Sequence, residues 1–285
     1  MLKILGVSTS GYYSWKKRVT SGQEKRKQAI KEEIAQIYNE SHQIYGAPKI
    51  ASILQSRGHV IAEKTVGNYM REDGIKAIWV RPYVRTTIDP DFDVKLKNIL
   101  DRDFKPAAPN TVWVTDITYV HTLEGFIYLT SVMDLFSRKI IGWHVSDSLA
   151  TEHVIKAIEK AKKSRELSRP IIIHSDRGCQ YISKSYIEAT PAGQYIRSYS
   201  TKANPWDNAC IESFHALIKR EWLNRFVIKN LKHGHELIFE YIEAFYNTVR
   251  IHGYCGMVSP FDFEANFASK RIAAKQVSHR PGPAA

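Results

Sequence analysis

Apolar and polar positions along this chain change their period near residue 110. Before that point the spacing is helical: Ile30, Ile34 and Ile37 predict a charged helix over 21–41. KIASILQSRG predicts a second, ended by Gly58, and EKTVGNYMREDG a third, from Ala62 to Gly74. Residues 2–18 read as the latter part of a helix-turn-helix, with a helix ending at Leu5, Gly6 at the turn and Ser8 as the next N-cap, or equally as an ordinary amphipathic N-terminal helix. So short a helix needs the rest of the chain or an upstream segment to pack against. From 78 to 109 the period is lost among Pro82, Pro90, Pro106 and Pro109, which predicts a linker with one short helix at 94–100.

Beyond 110 the alternation is that of strands. Residues 112–120, 126–135 and 139–146 predict an antiparallel meander turning at Glu124-Gly125 and Ser137-Arg138. Thr151 is placed to cap the helix EHVIKAIEKAKKSR, after which the apolar run IIIHSD returns by a crossover suited to parallel pairing. A helix over 183–190, a strand over 196–200 and a helix over 208–225 follow. In the last, Ile211, Phe214, Ile218 and Trp222 form one apolar stripe. Such an order is mixed α/β, a central sheet covered by helices. A further helix over 231–252 repeats Leu237, Tyr241, Phe245 and Val249 every four residues as core, and 268–285 reads as a basic, mostly disordered tail. The expected organisation is a partial helix-turn-helix-like segment (1–20), a helical region (21–77), a linker (78–109), a mixed α/β core with C-terminal helices (110–267) and the tail.

Charge adds a partner to this outline. The formal net charge is +12 over 285 residues, and residues 1–30 alone hold seven Lys and Arg against one Glu. A polyanion, nucleic acid first, fits that surplus; a merely solubilising surface is the alternative. Lys64, Thr65, Asn68 and Arg71 would share a face of the third helix, making a second helix-turn-helix candidate that contacts DNA, or else a small bundle used for packing. The three cysteines show no CxxC spacing, and no run of about 18 apolar residues occurs, so a soluble cytoplasmic protein is expected, without membrane contact.

Three acids carry the candidate chemistry. Asp116 lies mid-strand in VWVTDITYV, Asp176 ends IIIHSD, and Glu212 stands on a helix with 35 residues between it and Asp176. Hard oxygen ligands on separate rigid elements suit Mg²⁺ or Mn²⁺. Two such ions ~3.5–4 Å apart activate an attacking oxygen and stabilise a leaving one at phosphorus. Lys219, seven residues after Glu212, is two turns along the same helix face, where it would reach a DNA phosphate. Trp206 lies in the loop before the helix, placed to meet a base, with Asp207 or Asn208 as an N-cap and Asn208 also a DNA-contact candidate. Asp134 reads as a turn acid in preference to a fourth site acid, and His174 as a hydrogen-bonded strand histidine in preference to a residue that touches substrate or supports the site. His233, His235 and His252 lack the spacing of a metal cluster, while Tyr246, Asn247, Arg250 and His252 are candidates for contact with DNA or a neighbouring subunit.

WVTDITY, HSDRGCQY and NPWDNACIESFHALIKRE resemble the motifs of DDE transposases of bacterial insertion sequences, nearest the second-frame product of the IS-three group. GVSTSGYY, YGAPKI, DLFSRKIIGW and YNTVRIHGYCGMVSPFDFE extend the likeness over most of the chain. The resemblance implies an RNase H-like core similar to retroviral integrase, with Asp116, Asp176 and Glu212 as catalytic metal ligands. It further implies cleavage at element ends, strand transfer, a homo-oligomer on DNA, and an upstream-frame product as fusion or partner. Cys179 stands where the family usually has Ser, Ala203 where Gly is frequent, and Cys255-Gly256 near a usual Leu-Gly. Other readings of the residues are a same-fold nuclease that only hydrolyses, a DNA-binding protein without activity, and a Ser or Tyr recombinase, which has no need of three acids.

Overall fold

The computed structural model describes residues 6, 8–17, 21–78, 96–201 and 204–278, and the chain divides into two units, Met1–Ile78 and Trp79–Ala285. In the first, α1 (Thr9–Lys16) begins where the Ser8 hydroxyl accepts from the Gly11 N–H, and α2 (Gly22–Glu40) begins on Ser21 in the same way. The helix end expected at Leu5 lies outside the described residues. Ile30, Ile34 and Ile37 of α2 are buried with Ile50 and Leu54 of α3 (Ala47–Ser56) and Val66 and Met70 of α4 (Glu63–Glu72), so three apolar stripes make one small core. Gly58, at φ +92°, ends α3 as expected. Lys31 ties α2 to the end of α4 through Glu72 and Asp73.

The second unit is built on five strands, β1 (Val112–Thr122), β2 (Gly125–Asp134), β3 (Ile140–Ser146), β4 (Ile171–Ser175) and β5 (Tyr195–Tyr199). They lie in the order β3-β2-β1-β4-β5; the first three are antiparallel, and β4 and β5 join parallel to β1. Side chains alternate across the sheet. One face sends Trp113, Val132, Ile171, Ile173 and Tyr195 to α5 (Thr151–Lys163), α6 (Cys179–Ile182) and α7 (Lys184–Ala189), whose Val154, Ile158, Tyr181 and Tyr186 complete a buried cluster. Here β3 comes so close to α5 that a Cβ on Gly142 would run into the Ala157 carbonyl. The other face, which carries Asp116 and its cross-strand partner Ser131, is covered by α8 (Ala209–Glu221) and α9 (Leu231–Phe239).

Several expectations change in the structure. Thr151 is the first residue of α5 rather than its cap; Ala150 holds that position without a side-chain bond. The described part of the short helix expected at 94–100 is not helical. Instead the Ile99 and Leu100 N–H groups donate to the Ser198 hydroxyl and Leu100 is buried, so this stretch is laid against β5. The helix of 208–225 stops at Glu221, and Leu223–Arg225 is a separate 3₁₀ turn. α9 widens into a π-helical stretch, Glu240–Tyr246, beyond which Val249 is 55% exposed instead of joining Leu237, Tyr241 and Phe245 in the core. Residues 268–278 are not a disordered tail: α10 (Pro260–Ser278) runs through them, as their Lys, Arg, Ala and Gln content favours.

Tyr246, Asn247 and Arg250 prove to be internal fasteners rather than a contact surface. The Tyr246 hydroxyl donates to the Arg138 carbonyl, and the Asn247 amide bonds both the N–H and the carbonyl of Ile140. Arg250 forms a buried two-pronged ion pair with Glu221 at 2.6 and 2.7 Å, joined by the Tyr241 hydroxyl. Removing either charge would leave the other buried alone, at a cost of about 3–5 kcal/mol.

Candidate active site

The parallel pairing of β1 and β4 sets Val114 against His174, so two residues further on Asp116 and Asp176 stand level on adjacent strands. Asp116 is mid-strand and 18% exposed at its side chain, whereas Asp176 lies just past β4, its Oδ1 accepting from the Gly178 N–H at 2.9 Å. Both act on one phenol. Burial pushes the pKa of Tyr181 well above the ordinary tyrosine value, and the charges of Asp116 and Asp176 push it further in the same direction. Their negative potential is thus pooled at one end of the sheet.

Glu212 is in the first turn of α8, exposed. Two contacts hold that turn against β1. The Asn208 amide donates to the Thr115 carbonyl at 3.2 Å, and one turn beyond Glu212 the imidazole of His215 lies 3.3 Å from Asp116. Asn208 is therefore a buried tie between helix and strand, not the DNA-facing group expected of it. Asn208 also holds the N-cap position of α8, as expected, though without a side-chain bond to the helix, and Asp207 is not the cap. Its buried carboxylate accepts from Arg102 at 2.7 Å, Asn98 at 3.0 Å and the Thr201 N–H at 2.8 Å. Burial works to raise its pKa, but the bonds from Arg102 and Thr201 prevail and leave it below the usual carboxylate range. Trp206 projects from the same 3₁₀ turn, Pro205–Asn208, 69% exposed.

Among the described residues no group of three or more His, Cys, Asp or Glu side chains is gathered tightly enough to hold a metal ion. Asp116 and Asp176 are level, and Glu212 is one turn from a side chain touching Asp116, but the three are not closed around a point. The donor chemistry nevertheless fits a hard divalent cation, because all three are carboxylates and two of them combine their charge at Tyr181. Lys219, at the far end of α8, has its ammonium 4.3 Å above the Tyr119 ring, beside a cleft of about 400 Å³ that Leu223, Phe226 and Val227 also line.

The other candidates fall where their spacing suggested or become structural. Lys64, Asn68 and Arg71 are exposed on α4 opposite Val66 and Met70, with the Arg71 guanidinium donating to the Asn68 side-chain Oδ1 at 2.6 Å. His174 is buried between the Ser198 and Ser200 hydroxyls, and burial lowers its pKa to about 4, only partly opposed by Asp207. His233, His235 and His252 go separate ways, to the Lys229 N–H, the Trp143 ring and the Tyr254 N–H. The residue that spacing missed is His215. Its one signal was a histidine three positions after Glu212, beside the apolar stripe of Ile211, Phe214 and Ile218.

Three family descriptions match in turn: the HTH-like domain over residues 25–83 and the Integrase core domain over 106–205 and again over 196–260. The chain is 34% identical to the Transposase InsF for insertion sequence IS3A of Escherichia coli (strain K12), over 93% of this chain and 92% of that protein. It is 32% identical to the Insertion element IS600 uncharacterized 31 kDa protein of Shigella sonnei, over 94% and 98% respectively. Among solved structures, the HTLV-2 integrase catalytic core domain in complex with magnesium matches at 17% identity and a TM-score of 0.43, over 55% of this chain and 98% of that one. Among the described residues no helix is long and apolar enough to cross a membrane. With an HTH-like domain ahead of a five-stranded integrase core, and with relatives matched along nearly its whole length, the chain belongs to the insertion-sequence transposases of the IS3 type.

Proposed function

We propose that this transposase cleaves DNA at the ends of its insertion sequence and joins them to target DNA, with Asp116, Asp176 and Glu212 holding Mg²⁺ or Mn²⁺, two ions in all. When bound, such ions supply the positive charge that activates an attacking oxygen and stabilises a leaving one. In cleavage a water oxygen bonds to phosphorus as the bond to the 3′-oxygen breaks, which leaves a 3′-hydroxyl on the element end. In transfer that hydroxyl attacks a target phosphodiester and a target 3′-oxygen departs.

The observation that supports this most is the level register of Asp116 and Asp176, with the Glu212 turn pinned to the same strand through Asn208 and His215. The rest of the reading concerns grip on DNA. Lys219 takes a phosphate near the element end, Trp206 stacks on a base, and Lys64, Asn68 and Arg71 meet DNA from α4. Two or more copies of the chain act together on paired ends of nucleoid DNA in the cytoplasm, with an upstream-frame product as fusion or partner.

The test offers purified protein an uncut element end, to score hydrolysis, and a pre-cut end with a target duplex, to score joining, both in Mg²⁺ or Mn²⁺. Asp116→Asn or Glu212→Gln is expected to lose both activities and keep DNA binding. Joining by either variant would refute the assignment.

A further inference from the structure

The geometry points to His215 as the residue that holds the Asp116 carboxylate in position for metal capture, a role that rests on the reading of Asp116 as a ligand given above. The imidazole is buried beneath α8 and bridges two strands, with Nδ1 3.3 Å from Asp116 Oδ2 and Nε2 3.2 Å from the Ser131 hydroxyl. Asp116 and Ser131 are direct partners in the β1–β2 ladder, so their side chains leave the sheet side by side and one ring can take both. An Nδ1–H donated to Asp116 leaves Nε2 to accept from Ser131, the tautomer in which both nitrogens of this buried ring are satisfied. The ring also packs against Phe214, at 5.6 Å between centroids.

Position on the helix gives this contact its consequence. His215 follows Glu212 by three residues, so both leave the same side of α8 within one turn. Any shift of α8 that carries Glu212 with it also carries the imidazole that lies against Asp116. The imidazole therefore couples the strand acid to the helix acid, and hydrogen-bonding partners of ligating groups of this kind are worth about 10–100-fold in metal affinity or activity.

The experiment measures Mn²⁺ binding to the full chain by electron paramagnetic resonance, alongside thermal melting and the Mg²⁺ dependence of joining. His215→Phe keeps a ring under α8 without the donor, whereas His215→Asn restores an N–H close to the place of Nδ1. His215→Phe is expected to weaken Mn²⁺ binding about tenfold and to raise the Mg²⁺ needed for half-maximal joining in proportion, with the rate largely recovered at saturating Mg²⁺. His215→Asn should recover most of the affinity. Ser131→Ala should shift it in the same direction by a smaller factor, and serves as the deciding variant if His215→Phe does not melt cooperatively. Wild-type Mn²⁺ affinity in His215→Phe, or in Ser131→Ala where that variant decides, would overturn the role, as would His215→Asn binding no better than His215→Phe. Asp116→Asn is the control: if it binds Mn²⁺ like the wild type, the ligand assignment itself falls, an outcome separate from any result at His215.

Discussion

Asp134 closes β2 in full burial, its carboxylate accepting from the Asn110 and Phe136 N–H groups. Burial raises its pKa from 3.8 to about 6, against the pull of those two bonds and of Arg165. A folded value above the unfolded one means that the native chain holds this proton longer. The stability it contributes is full below about pH 4 and is lost as pH rises through about 6. Asp134→Asn should remove that slope, so urea melts from pH 4 to 7 are expected to show the variant gaining on the wild type by on the order of 2 kcal/mol. Parallel stability curves would contradict it. Asp134 as a turn acid and His174 as a bonded strand histidine were both legible, because strand alternation and turn chemistry act locally. His215 was not. Its partners depend on which residue of β2 lies opposite Asp116, and spacing along one strand carries no information about that pairing.

Among the elements, the strands of the sheet could be read from alternation to within a residue or two, and so could α2, α3 and α4 of the first unit, which show one clear stripe each. What escaped the pattern was helical geometry that shares its spacing with another form. Leu237, Tyr241 and Phe245 suit an α-helix and a wider turn alike, so the π-helical stretch and the exposed Val249 after it could not be told from four-residue repeats. The candidate site was legible as three acids on three elements, but the ties through Asn208 and Asp207 needed the packing of α8 and of residues 96–102. The close approach of β3 and α5 is equally invisible in composition. Gly142→Ala is expected to cost about 1–3 kcal/mol, read as a lowered denaturation midpoint, since the added methyl meets backbone at Ala157. An unchanged midpoint would mean that α5 can retreat without loss.

At the scale of the whole molecule, a basic helical unit and an integrase-like unit are joined through residues 79–95, and the described chain resumes at Leu96 already laid along β5. Arg102 and Asn98 then latch to Asp207, one turn of chain before the helix of Glu212. Arg102→Ala is expected to speed amide exchange across 201–212 while leaving β1 to β3 protected, and uniform exchange in both proteins would argue against the latch. The covalent path out of the first unit thus runs along β5 and past the threshold of the Glu212 helix before it enters β1. A pull on the chain ahead of Leu96 would therefore load the turn after Asp176, through Arg177, and the latch at Asp207 before it reached β1.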